Sequence, residues 1–90
     1  MAATFRVTVL TPERTAFEGD AIHLLAPGSE GYLGVLAHHA PLIASLQAGR
    51  LAVRTPDGIE HGFRVTGGFL EVSDNVARVL ADGVSEESRA

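Results

Sequence analysis

The sequence predicts an all-β fold: a single antiparallel β-sandwich of about nine short strands, jelly-roll-like, with no substantial helix. Three observations lead there. Apolar residues alternate with polar ones at period two in several separate runs, as in strands with one buried face. Turn residues (Thr-Pro, Pro-Asp-Gly, Gly-Gly, Asp-Asn) recur at short intervals between those runs. The best helical candidate, residues 36–47, carries Pro41 near its middle, where proline removes a hydrogen bond and clashes with the preceding turn.

In order along the chain, Phe5, Val7 and Val9 alternate with Arg6 and Thr8 to give the first strand. Thr11-Pro12-Glu13 is a turn, since proline suits an early turn position. Extended runs are expected at 15–18 and 20–26, separated at Gly19, the second apolar on both sides as a strand packed on two faces would be. Leu51, Val53 and Thr55 alternate with arginine and alanine, and Asp57-Gly58 supplies the positive φ of a tight hairpin. Ile59, Phe63 and Val65 form the return strand. Gly67-Gly68 interrupts it, Phe69 and Leu70 are expected to pack a core, Asp74-Asn75 turns again, and 76–81 closes the set. The sandwich is expected to span 1–83, with 84–90 a short, polar, frayed tail.

Ninety residues with 46% apolar content suffice for one domain with one core. No cysteine is present, which removes disulfides and thiolate chemistry. A net charge of -4 and seven arginines scattered singly argue against nucleic-acid binding. No apolar run approaches the ~20 residues of a membrane span, and the N-terminus lacks the basic-then-apolar pattern of a signal peptide. Membrane association is therefore expected only through a partner.

Catalytic and cofactor templates do not fit. Residues 27–31, Pro-Gly-Ser-Glu-Gly, lack the G-x-S-x-G spacing of a nucleophile elbow. The glycine run Gly28, Gly31, Gly34 has no following lysine and so is no phosphate loop. His38 and His39 are neighbours on a chain whose side chains would diverge, and His23 and His61 are remote in sequence. No carboxylate pair is singled out by spacing. The expectation is no catalytic residue, no cofactor and no metal.

Residues 27–42, P-G-S-E-G-Y-L-G-V-L-A-H-H-A-P-L, together with T-G-G-F-L-E-V at 66–72, V-L-A-D at 79–82 and T-P-E-R at 11–14, resemble the small ε subunit of the rotary F-type ATP synthase over about the whole chain. The resemblance implies a non-catalytic central-stalk subunit that binds the γ subunit and docks it to the membrane c-ring, coupling ion translocation to rotary ATP synthesis. It implies γ contacts at Thr11, His39, Leu42 and Ala44 and c-ring contacts at Ser29, Glu30 and Tyr32, with Thr11 near the same face as His39. Many relatives carry an acidic residue where Tyr32 stands, so Tyr32 is expected as an amphipathic contact and Glu30 as the acidic one. Where the family usually reads G-H-A-P-L, His38 replaces the glycine. Some relatives bind ATP through a C-terminal motif whose end matches Arg89-Ala90, but Ser85 and Glu86 depart from its start. The longer relatives inhibit through a helical hairpin that would follow, so little or no inhibition is expected of these ninety residues. The implied location is peripheral, on the cytoplasmic face of a bacterial plasma membrane or, less in keeping, the chloroplast thylakoid. Two readings stay beside it. A free-standing ligand-binding sandwich is weakened by 6% aromatic content without tryptophan, and a cupin-type enzyme by the missing ligand spacing.

Overall fold

The computed structural model describes residues 3–87. Ten strands fill it: β1 (Phe5–Leu10), β2 (Thr15–Ala21), β3 (His23–Gly28), β4 (Gly31–Val35), β5 (Leu42–Leu46), β6 (Gly49–Arg54), β7 (Glu60–Val65), β8 (Gly68–Ser73), β9 (Val76–Ala81) and β10 (Val84–Glu86). They form one hydrogen-bonded path, β10-β7-β6-β3-β5-β8-β9-β1-β2, with β4 paired on β3. The path folds over on itself. The Phe17 ring of β2 meets His61 and Phe63 of β7, with ring centroids 5.4 and 6.2 Å apart, so the two far ends of the sheet lie face to face. One layer is β5-β8-β9-β1-β2 and the other β10-β7-β6-β3-β4.

Period two explains what lies between the layers. Phe5, Val7 and Val9 of β1, Leu24 and Ala26 of β3, Leu70 and Val72 of β8, and Ala77 and Val79 of β9 are all buried, each separated from the next by an outward residue. Leu51, Val53, Phe63 and Val65 answer them from β6 and β7. No polar or charged residue among those described is buried, so the core carries no desolvation cost to offset.

Several expectations need correction. The sheet is not wholly antiparallel, because β1 runs parallel to β9, with Arg6 opposite Val76 and Leu10 opposite Leu80. A parallel pair needs a crossover, and here nearly the whole intervening chain supplies it. The second strand runs through Gly19, and the break falls after Ala21. Gly19 stays in register because Val7 pairs with it directly. The first residues of the expected tail are ordered: Val84–Glu86 pairs with β7, and half-buried Val84 packs on the core. Arg89 and Ala90 lie outside the described residues. Phe69 is 57% exposed and packs no core, since its neighbour Leu70 takes the inward position.

The expected turns hold the corners. Asp74 and Asn75 have φ of 52° and 62°, the left-handed pair that a two-residue hairpin between β8 and β9 requires. Gly58 (φ 85°) closes the β6–β7 hairpin. Gly68 (φ 141°) starts β8 against the Leu80 carbonyl, where a Cβ would collide with backbone. That position admits no other residue.

Candidate interaction surface

The glycine-rich run forms the β3–β4 hairpin. Buried Pro27 and Gly28 carry the chain outward, and Gly28 pairs with Gly31 across the turn. The turn is stapled to β5. Ser29 N–H donates to the Ser45 carbonyl (2.9 Å), its hydroxyl meets the Ser45 hydroxyl (3.1 Å), and the Gln47 side-chain amide donates to the Gly28 carbonyl (3.1 Å). Glu30 at the tip is exposed. Tyr32 is 57% exposed, yet its hydroxyl accepts the Arg50 N–H at 3.3 Å. Ser29, Glu30 and Tyr32 thus come together, and with Ile43 and Ser45 they line an open groove of about 490 Å³.

β5 separates its residues by side. Leu46 is buried and Leu42 packs against the core, while Ile43 is 76% exposed and Ser45 is exposed. Leu42 and Ala44 therefore stand on the inward side of β5, and the outward positions belong to Ile43 and Ser45. Register extends that outer face across four strands: Ser45 lies beside Phe69, Phe69 beside Leu80, and Leu80 beside Leu10. Phe69 and Leu80 are about half exposed. A second groove of about 400 Å³ runs between Thr11, Pro12, Phe69 and Leu80. The two grooves flank Phe69, so the hairpin tip and the first turn belong to one end of the molecule. Sequence reasoning assigned Phe69 to the core and gave Leu80 no role; strict alternation with Leu70 and Val79 was the signal that could have found both.

Thr11 spends its hydroxyl on its own turn, accepting the Arg14 and Glu13 N–H groups and donating to the Arg14 carbonyl. What it offers outward is shape. His39 is not beside it. The His38 N–H donates to the Asn75 side chain at 2.7 Å, and Asn75 donates in turn to the Thr4 carbonyl at 2.9 Å. This ties residues 38–39 to the Thr4 end of β1, seven positions, or about 23 Å of extended chain, from Thr11. His38 occupies the left-handed region (φ 64°), the conformation a glycine would take without cost. His39 is exposed, with Nδ1 against the Ala40 carbonyl at 2.7 Å. His61 lies across the molecule against Phe17 and the Thr55 hydroxyl. Among the described residues no three His, Asp or Glu side chains gather as a metal site would require.

The opposite layer carries the main charge cluster. Arg50 stands opposite Arg64 in register, an unfavourable pairing alone. It is offset by Glu60 and Glu87, each 3.0 Å from the Arg50 guanidinium, and Glu60 reaches Arg54 as well at 3.1 Å. The hydrogen bonds from Arg50 and then Arg54 hold the Glu60 carboxyl below the usual carboxylate range, and the same pairing raises Arg50. The Thr55 hydroxyl and the Ile59 N–H lower Asp57 in the adjoining turn.

Fold and surface together define a class: an all-β sandwich domain with an apolar core and its distinctive chemistry on outer grooves and one end loop. Comparison with known proteins then specifies it. Residues 4–87 match the family described as ATP synthase, Delta/Epsilon chain, beta-sandwich domain. The ATP synthase epsilon chain of Syntrophomonas wolfei is 44% identical over 80 residues, 89% of this chain and 58% of the relative. That of Chlorobium limicola is 37% identical over 81 residues, 90% of this chain and 92% of the relative. Among solved structures, a chain of the Euglena gracilis mitochondrial ATP synthase (OSCP/F1/c-ring) superposes with TM-score 0.88 at 23% identity, covering 96% of this chain and 55% of that one. A chain of the Tetrahymena thermophila mitochondrial ATP synthase central stalk/c-ring gives 0.79 at 21%, covering 93% and 67%. At those identities the superpositions establish the fold. The chain belongs to the ATP synthase Delta/Epsilon β-sandwich family. It spans less than two-thirds of the length of the relatives first matched. No helix among the described residues is long and apolar enough to cross a membrane.

Proposed function

We propose that this domain is a non-catalytic part of the central stalk of an F-type ATP synthase. It binds γ through the outer face of the β5-β8-β9-β1 layer and rests on the c-ring through the Ser29-Glu30-Tyr32 tip, so that ring and γ turn together and ion flow is coupled to ATP synthesis. It is held peripherally at the cytoplasmic face of a bacterial plasma membrane by the complex alone. The observation that carries this reading is an exposed apolar patch: Phe69 and Leu80 are opposite each other in register, and Ile43 lies diagonally from Phe69, two residues along β5 from Ser45, where the patch meets the tip groove in a chain belonging to the Delta/Epsilon family. Large side chains gathered in one exposed patch on a small domain mark a contact surface. A close-packed core with no buried charge among the described residues suits the task mechanically, since such interiors compress little and transmit load.

Of the γ contacts expected from the sequence, Thr11 and Ala44 adjoin the grooves at the tip end. Leu42 acts by backing Ile43 from beneath, and His39 serves a separate contact at the far end of the layer. The test is native mass spectrometry with the cognate γ subunit. A one-to-one complex is expected, and Phe69→Ser should weaken it roughly thirtyfold, as a truncated aromatic anchor of ~2 kcal/mol would, with the melting temperature within a few degrees of wild type. A wild-type domain that forms no complex at micromolar concentration overturns the reading.

A further inference from the structure

Tyr32 is exposed in β4, next to Gly31 at the hairpin turn, yet its hydroxyl has a partner inside the domain. That partner is the Arg50 N–H, which donates to the phenol oxygen at 3.3 Å from another strand. The approach exists because residue 49 has no side chain: a Cβ there would come within 2.9 Å of the Pro27 Cβ and 3.3 Å of the Tyr32 hydroxyl. Pro27 is a buried ring that cannot swing away, and Tyr32 and Pro27 are themselves paired in register. An added methyl must therefore push the phenol off its donor or shift the β3–β4 ladder. The donor is equally well held. Gly49 and Arg50 pair with Val65 and Arg64 of β7, and the Arg50 guanidinium is clamped between Glu60 and Glu87. An exposed side chain of β4 is thus tethered to a backbone corner of β6, and the Arg50 side chain at that corner is held by two ion pairs.

From this geometry we infer that Gly49 and Arg50 are positioning residues for the ring-facing tip: they aim the Tyr32 ring over the groove shared with Ile43 and Ser45, and so set the affinity of the tip for its partner. The inference rests on the reading of Tyr32 as a c-ring contact. A tyrosine held in one rotamer loses less freedom on binding than a mobile one, which is how preorganisation raises affinity.

The experiment measures retention of the domain on purified c-ring for wild type, Tyr32→Ala, Tyr32→Phe, Gly49→Ala and the Tyr32→Phe/Gly49→Ala pair, alongside, for each free variant that keeps a ring at position 32, the nuclear Overhauser contacts between that ring and Pro27. Tyr32→Phe keeps the ring and loses the anchoring hydroxyl; a roughly three- to tenfold weaker retention is expected, the range of one neutral hydrogen bond, with the ring–Pro27 contacts weakened and the melting temperature little changed. Gly49→Ala should do the same, and the pair should be no worse than the worse single variant, because both remove one interaction. If Tyr32→Ala weakens retention but Tyr32→Phe leaves it and the ring–Pro27 contacts unchanged, the positioning role is overturned while the contact stands. If Tyr32→Ala itself binds as wild type, the contact reading falls first. Should Gly49→Ala fail to fold, Tyr32→Phe alone decides.

Discussion

His38 shows at the residue scale how a side chain can sit where the backbone asks for none. Its φ of 64° is left-handed, a region that disfavours a side-chain-bearing residue by about 1–2 kcal/mol. The conformation persists because the His38 N–H is caught by Asn75, which also holds the Thr4 carbonyl and is itself left-handed. The substitution His38→Gly keeps that N–H and removes the Cβ conflict. Against the greater flexibility of glycine in the unfolded chain, a net gain of about 0.5–1 kcal/mol is expected, or a few degrees in melting temperature. Asn75→Ala removes two hydrogen bonds and leaves a methyl in the left-handed region, and should cost about 2–3 kcal/mol. Thermal denaturation of both variants checks the pair; a His38→Gly domain less stable than wild type would mean that the imidazole makes a contribution of its own.

Among the elements, β10 depends most on charge. It is only three residues long and is held by pairing to β7, by half-buried Val84, by Glu87 N–H donating to the Gly62 carbonyl, and by the Arg50–Glu87 ion pair. Isolated exposed ion pairs contribute little, but Arg50 joins two strands and the exit of the chain in one network. Arg50→Ala should therefore leave the global melting temperature nearly unchanged while the Thr66 and Glu87 amides, which donate to and from this segment, exchange markedly faster. Hydrogen exchange that stays slow at both would assign β10 to its backbone pairing and Val84 alone. The same network predicts a pH effect whose sign is fixed. The Glu60 carboxyl is lowered in the folded state, chiefly by Arg50, so its stabilisation is complete above the ordinary glutamate value of about 4.3 and is lost as pH falls through the lower folded value. Denaturant midpoints between pH 6 and 3 should decline on the acid side, and Glu60→Gln should flatten that decline.

At the scale of the whole molecule, the fold is closed by its most distant partners. β1 lies beside β9 and β2 faces β7, so neither layer is complete until the chain has nearly ended. Sheets built from such remote pairings fold slowly, in milliseconds to seconds, and cooperative unfolding is expected. Leu70 is fully buried in the one core cluster that also holds Leu51, Val53 and Phe63 of the other layer. Leu70→Ala should cost about 2–5 kcal/mol, a large part of the stability of a domain this size. Its chain neighbour Phe69, turned outward, should change stability by about 0.5 kcal/mol or less on going to serine. Chemical denaturation of the two variants reads the orientation of β8 directly, and equal losses would contradict it.

Local physics was legible in the amino-acid order. Alternation in β1, β6 and β9, the Asp57-Gly58 and Asp74-Asn75 turns, the refusal of a helix at Pro41, and the glycine run as a turn-forming loop all follow from single-residue conformational preferences. Motif resemblance added the family. Which side of each strand faces inward was another matter. Leu42, Ala44 and Phe69 were assigned without knowing the register, and a strand inverts its faces with a one-residue shift. The parallel β1–β9 pairing, the ordering of β10 by Arg50 and Val84, the distance between Thr11 and His39, and the meeting of Tyr32 with the Gly49–Arg50 corner each join residues far apart in sequence. No local preference encodes those contacts. They are decided when the two layers close on one core, because only that closure brings a side chain within reach of its partner.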